Sequence, residues 1–341
     1  MSVTTRRVTV PALSEMLQAY KSTALLNTAL ELGLFDAIDQ GARSVSEIAG
    51  RLDLDERGAR LLLNALAAIG LLESDGTQYS LPEGAADLLV RGRRSFVGDM
   101  RKVLASEWEW DAIRRLPEAV RSGHTVVDEH AETPDFGYWQ DFASYAGVVA
   151  QPMADKAAQV LSDWASARPS LDILDVACGH GLYGFTLARH QPQAQVWSLD
   201  WESVLPIARA NAERLGVADR AHEIAGDMFE VSLGGPYDVV FITNVLHHFS
   251  EERGVELLKR VTPVLRPGGK LVLIGFTVNE GPPIEDPAPH LFSVLMLVWT
   301  AKGEVHSTAT YDRMLVAAGF RPAVVHDVPP FPLKILVAEP A

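Results

Sequence analysis

The 341-residue chain has a single cysteine, Cys178, so it can form no intramolecular disulfide and reads as the product of a reducing, cytoplasmic compartment. It also lacks a long apolar run. The longest stretch outside the expected strands, Leu291 to Trp299, falls far short of the ~20 residues that span a bilayer and reads as a buried helix. Residues 1–10 contain two arginines but no apolar segment of a secretion signal, so no membrane partner is expected. Positive charge is scarce. Thirty Lys and Arg against 44 Asp and Glu leave a formal net charge of −14, which argues against a nucleic-acid backbone as partner. No internal repeat or low-complexity segment is visible.

What is present is concentrated around Ile173-Leu-Asp175-Val-Ala177-Cys178-Gly179-His-Gly181-Leu-Tyr-Gly184. An apolar strand runs through a carboxylate and a glycine turn into a helix. G-x-G-x-x-G alone is a weak dinucleotide signal. Asp175 changes its meaning: a carboxylate beside the helix N-terminus repels a pyrophosphate but welcomes an ammonium and a sulfonium. The pattern therefore points to S-adenosylmethionine (SAM) over NAD. Asp200, closing the next apolar run, with Trp201 after it, stands where a ribose diol needs an acceptor and suits either ligand. Gly226-Asp227-Met228-Phe229 discriminates further, since Asp227 can accept from an adenine amino group while Met228 and Phe229 sandwich the ring. Cys178 reads as small filler in the loop.

From residue 170 onward strands and helices alternate. Strands are expected at 171–176, 195–200, 221–225, 238–243, 270–276, 324–328 and 333–338, with helices at 181–190, 203–215, 250–264 and 308–318. That alternation specifies an α/β, doubly wound, mostly parallel sheet. Ligands of such sheets bind beyond the carboxyl ends of the strands, where Asp175, Asp200, Asp227 and Asn244 all fall.

The first 90 residues are helix-rich. Residues 24–35 show helical spacing with Gly33 as a stop, and Ser44 or Ser46 caps the next helix. A third helix over 55–69 carries Leu62, Leu66 and Ile69 on one side, and an Asp75-Gly76 turn joins two short strands. Helix, helix, hairpin reads as a winged helix. Residues 1–100 hold 10 Lys and Arg against 13 Asp and Glu, so this module is expected to pair with its twin rather than with DNA. Residues 95–165 read as all-helical and aromatic-rich, with Trp139, Phe142 and Tyr145 as candidates to roof a substrate. Three regions are expected: 1–95, 96–168 and 169–341.

With these residues in view, the chain resembles the small-molecule O-methyltransferases typified by plant caffeic acid O-methyltransferase and by bacterial antibiotic and pigment methyltransferases. The resemblance covers nearly the whole length. It includes the glycine motif, Gly226-Asp-Met-Phe, Val245-Leu-His247-His248-Phe-Ser-Glu-Glu, Leu265-Arg-Pro-Gly-Gly-Lys270, Leu295-Met-Leu and Ala318-Gly-Phe. It implies a class I SAM-methyltransferase fold with a Rossmann-like sheet and an antiparallel last strand, preceded by a winged-helix dimerisation domain that makes a homodimer. It also implies cofactor contacts at 177–181, Asp200, Asp227, Met228 and Thr243, with Asp175 holding the methionine ammonium through water. His247 takes the position of the family's catalytic base. The acceptor is implied to be a small phenolic or enolic, aromatic or polyketide-like metabolite, walled by Trp139, Phe142, Tyr145, Met153 and the 291–299 helix with Phe292 and Met296.

Departures from the plant pattern are specific. Thr243 stands where a lysine is usual, His248 where an aspartate is common, and Gly275 and Val305 where two glutamates orient the histidine. His306 stands in place of arginine, so His306 and Glu304 are candidates to share that role. Metal ligation by His247, His248, His290 and His306 is not expected, because adjacent histidines rarely hold one ion. C- or N-methylation, a SAM-binding protein with another reaction, and a SAM-responsive regulator on DNA remain the alternatives.

Overall fold

The computed structural model describes residues 8–279, 281–329 and 331–341; residues 1–7, which carry the two N-terminal arginines of the signal reading, lie outside the described residues. The chain divides into two compact units at Ser106/Glu107. By sequence the divisions were placed at 95 and 168.

In the first unit, helices at Val10–Gln18, Tyr20–Glu31, Leu34–Asp39, Val45–Leu52 and Glu56–Ala68 precede an antiparallel hairpin of β1 (Glu73–Ser74) and β2 (Tyr79–Ser80). Gly33, at φ 73°, ends one helix and begins the next, a left-handed conformation that favours glycine. Ser44 and Glu47 form a reciprocal capping box, and the Asp55 side chain accepts from Gly58 N–H. Leu30, Phe35, Ile38, Ile48, Leu63, Leu66 and Tyr79 share one core. The buried stripe lies one turn nearer the helix N-terminus than the expected one and shares Leu66 with it. Ala59, Leu63 and Leu66 are buried, Leu62 is half-buried and Ile69 is 42% exposed. Both stripes have helical spacing, and packing against the neighbouring helices selects between them.

The second unit is built on a seven-stranded sheet: β3 (Asp172–Val176), β4 (Gln195–Asp200), β5 (Ala221–Ala225), β6 (Tyr237–Thr243), β7 (Leu265–Phe276), β8 (Val324–Asp327) and β9 (Leu333–Ala338), in the order β5-β4-β3-β6-β7-β9-β8. The first five run parallel; β9 is antiparallel to both β7 and β8. Strand alternation divides the core. Ile173, Val239, Phe241 and Ile274 pack beneath the helices Tyr138–Ser166, Leu182–His190 and Leu205–Leu215. Leu174, Val176, Val240 and Leu273 pack with residues of Glu251–Val261 and Thr308–Ala317. The strand order reverses at β3/β6, which opens a crevice at the strand tips.

One sequence expectation is corrected here. The 291–299 stretch belongs to a helix, Pro287–Trp299, but it is not buried all round. Leu291 is 70% exposed, whereas Met296, Val298 and Trp299 are buried. An apolar run without polar interruptions does not reveal which face meets the core. No helix among the described residues is long and apolar enough to cross a membrane.

Candidate active site

The loop after β3 is shaped by backbone conformations that few residues tolerate. Ala177 (φ 51°), Gly179 (φ 54°) and Gly181 (φ 70°) are all left-handed. At the tip of the adjacent β6, Asn244 is too (φ 55°). For a non-glycine residue this costs roughly 1–2 kcal/mol, so something must hold it. Main-chain bonds do: Cys178 N–H donates to Leu199 O at 3.0 Å and Asn244 N–H to Ile274 O at 2.7 Å. A Cβ on Gly181 would lie 2.2 Å from the Phe185 ring, and one on Gly184 would lie 2.9 Å from Val196. The third glycine therefore lets the Leu182–His190 helix press onto β4.

Asp200 locks this loop to the end of β4. Its carboxylate accepts from Gly179 N–H at 2.7 Å and from Trp201 N–H at 2.8 Å. Burial pushes its pKa up to about 6 against those two bonds. After β5, Asp227 accepts from Phe229 N–H at 2.8 Å, a turn that brings Met228 and Phe229 to the same crevice.

The crevice is a cleft with about 1000 Å³ of empty space counted to its solvent mouth. Ala177, Gly179, Asp200, Trp201, Asp227, Met228, Phe229, Thr243, Asn244, Trp139, Phe142 and His248 line it, all anticipated from sequence. Cys178 and His180 also line it, within the 177–181 loop that the resemblance implied, and so do Glu132, Tyr183 and Arg253, which were not anticipated. Arg253 sits in the first turns of the Ser250-capped helix. Glu132 lies outside any helix or strand and had no local signal.

Other candidates lie off the lining. Asp175 is fully buried on the face of β3 covered by the Leu182–His190 helix; one carboxylate oxygen accepts from Gly184 N–H at 3.2 Å and the other has no partner. Burial raises its pKa to about 8. Gly181 shapes the loop from behind. Met153 is packed in the sheet core, Met296 is fully buried, and Tyr145 is half-buried away from the lining. Phe292 stands edge-on to His247 with ring centroids 5.0 Å apart.

His247 and His248 follow β6 on a short 3-10 turn, their rings 4.7 Å apart and nearly perpendicular. His248 faces the cleft against Trp139 (5.3 Å), whereas His247 is 2% exposed behind it with an unpartnered Nδ1. Burial, together with His248 and His306, holds His247 well below the ordinary histidine range; burial takes His248 down to about 4. Both imidazoles are neutral at physiological pH. His306 is buried, with Nε2 3.1 Å from Phe249 O, while Glu304 is exposed to solvent. A Cβ on Gly275 would lie 3.7 Å from His247 Nδ1 and 3.8 Å from the Tyr311 hydroxyl. Among the described residues no His, Cys, Asp and Glu group is arranged to hold a metal ion.

Comparison with known proteins places this geometry. Residues 118–321 match the model of the O-methyltransferase domain, and residues 14–91 match that of the O-methyltransferase dimerisation domain. The chain belongs to the O-methyltransferase family. Its sheet is that of the class I SAM-dependent enzymes, and the protein is a SAM-dependent methyltransferase. A crystal structure from Nostoc punctiforme PCC 73102 is similar at TM-score 0.90 and 32% identity, covering 97% of this chain and 100% of that one. The 3-hydroxy-5-methyl-1-naphthoate 3-O-methyltransferase of Streptomyces sahachiroi is 28% identical over 90% of this chain and 88% of its own length. The mitomycin biosynthesis 6-O-methyltransferase of Streptomyces lavendulae is 26% identical over the same shares.

The residues present fit this cofactor. Glu132, Asp200 and Asp227 outnumber Arg253 on the lining, which favours a sulfonium over a pyrophosphate. The unpartnered oxygen of buried Asp175 beneath the loop is a polar atom with no partner in the chain itself.

Proposed function

We propose that the protein methylates a phenolic or enolic hydroxyl of a small aromatic or polyketide-like metabolite. The observation that carries this reading is a pair of neutral imidazoles, His247 and His248, beside an acid-lined cleft with an aromatic wall. Asp200 would take the ribose hydroxyls, Asp227 the adenine amino group, Met228 and Phe229 the two faces of the ring, and Asp175 the methionine ammonium. Thr243 and Asn244 complete the floor at the tip of β6.

The bound cofactor supplies an electrophilic methyl group. The chain's own residues must align a nucleophile with it and remove one proton. Trp139 and Phe142 give an aromatic acceptor two edge-to-face surfaces, their own rings 5.8 Å apart. A phenol titrates near ~10, so a neutral imidazole serves as base only inside a desolvated, hydrogen-bonded site. His247 takes the hydroxyl proton in this reading, and His248 holds the acceptor oxygen at the cleft wall. His306 is buried and bonded to Phe249 O, Glu304 lies in water, and neither is on the cleft lining.

The first unit is proposed to pair two copies of the chain. The dimerisation-domain match supports this, as do the exposed Val10, Leu13, Met16, Leu17 and Tyr20 along its first helices. The acidic balance of the chain speaks against DNA as its partner, and the lone, buried Cys178 suits a reducing cytoplasm.

Incubation with methyl-labelled SAM and a panel of naphthols, hydroxynaphthoates and other phenols tests the reading. Labelled methyl ethers identified by NMR support it. Label on carbon or nitrogen would favour the other nucleophiles, for which the missing acid partner of His247 matters less. No label on any acceptor class, with SAM bound, sinks the transfer reading.

A further inference from the structure

SAM brings an anion as well as cations to the cleft: its amino-acid end carries a carboxylate, which Glu132, Asp200 and Asp227 repel. Among the described residues lining the cleft only Arg253 has a fixed positive charge. It lies over the Phe229 ring at 3.6 Å, on the side proposed for adenine, and is bonded to Glu256. The glycine-loop end therefore needs a different donor.

His180 sits there, between Gly179 and Gly181, 6% exposed and on the lining. Leu182 N–H donates to its Nδ1 at 3.2 Å. Nδ1 is thus the bare nitrogen of the neutral ring, and the proton is on Nε2. The residue is held in place: Asn211 Nδ2 donates to His180 O at 3.0 Å, and the Tyr183 ring lies 5.8 Å away. Gly147, on the Tyr138–Ser166 helix, packs beside it: a Cβ there would stand 3.8 Å from His180 Cβ, an ordinary contact. Burial lowers the His180 pKa to about 4, so the singly donating form prevails at neutral pH. With Nδ1 turned back into the loop, Nε2–H is the polar group left to meet a ligand.

We propose that His180 binds the methionyl carboxylate of the cofactor through Nε2–H, a role that rests on the SAM reading of the cleft. Asp175 beneath the loop and His180 on it then divide the zwitterion, one taking the ammonium and the other the carboxylate. His180 becomes the residue by which the site tells S-adenosyl amino acids from adenosyl thioethers that lack the acid.

Calorimetry on the full chain with S-adenosylhomocysteine and with its decarboxylated analogue, 5′-deoxy-5′-(3-aminopropylthio)adenosine, separates the possibilities. His180→Phe is expected to weaken S-adenosylhomocysteine by about 10- to 30-fold while changing the decarboxylated compound by no more than about twofold. His180→Gln, which restores an N–H at similar reach, is expected to recover most of the loss. Equal weakening of both compounds, or an unchanged affinity for S-adenosylhomocysteine, overturns the proposal. Nitrogen-15 NMR of the unmutated protein provides a test that does not depend on a variant folding. The His180 Nε2 resonance should move with S-adenosylhomocysteine and stay put with the analogue, and a shift common to both overturns it. If the unmutated protein binds neither compound, the cofactor reading itself has failed, an outcome distinct from loss of selectivity alone.

Discussion

On the side of the cleft proposed for the cofactor, every turn is pinned by a short-range or strand-end hydrogen bond: Gly179 and Trp201 to Asp200, Phe229 to Asp227, Cys178 to Leu199. On the side proposed for the acceptor the wall is rings against rings. Trp139 meets Phe142, Tyr138, Trp299 and His248, and Trp108 backs them against Phe136 and Trp299. These rings come from three helices and a loop, tied by Thr125 to Val298 and by Ala131 to Trp299. Directional bonds give a site one geometry for one invariant ligand. Ring packing tolerates small displacements at little cost and suits a partner that varies between relatives.

Variants can break that comparison. The largest expected effect is His247→Ala, which should lower kcat by ~10²–10⁴ while leaving S-adenosylhomocysteine affinity nearly unchanged. If His248→Gln loses turnover and His247→Gln keeps it, the base is the cleft-facing ring instead. Next comes Gly181→Ala, whose Cβ meets the Phe185 ring in a left-handed turn. Calorimetry should show cofactor-product binding weakened at least about tenfold, and the melting temperature should fall by roughly 5–10 °C. Trp139→Ala belongs to the other wall. It should raise the acceptor KM by about tenfold with cofactor affinity within about twofold, and a larger loss of cofactor binding would erase the distinction between the walls.

The smallest effect is on pH dependence. Asp175 titrates near 3.9 when unfolded and about 8 when folded, so between those values the folded state keeps a proton that the unfolded state releases. Its contribution to stability therefore falls as pH rises. Asp175→Asn should melt higher than the parent by an amount that grows to about 5 °C from pH 5 to pH 8, read by calorimetric scans without ligand. The histidines run the other way. His180 and His248, held down to about 4, take up protons only on unfolding between pH 6.5 and 4, so stability drops as pH falls through that window.

Much of this was legible in the chain. The seven strands of the large sheet were placed within a few residues, except that β7 begins at Leu265 rather than Lys270, because Arg-Pro-Gly-Gly reads as a turn. Asp200, Asp227, Met228 and Phe229 were legible because each lies at or within a few residues of a strand end, so a local pattern suffices to bring it to the tips. Asp175 was legible as a carboxylate near the end of the right strand, but not as one behind the lining. Strand parity turns it toward Gly184, under the helix. The wall proposed for the acceptor was legible as composition alone. Trp139 and Phe142 reach the cleft while Met153, on the same helix, enters the sheet core.

The α/β alternation and the glycine-loop chemistry were legible because both rest on residues close in the chain whose backbone geometry is local; the acidic crevice gathers Asp200 and Asp227 from different strand ends, which the sheet order brings together. Tertiary structure alone decided which histidine faces the cleft, where Glu304 goes, and how far Gly275 lies from His247 Nδ1. Those facts depend on strands and helices packing across separations of tens to more than a hundred residues, where side-chain direction follows the core and not the neighbour in sequence.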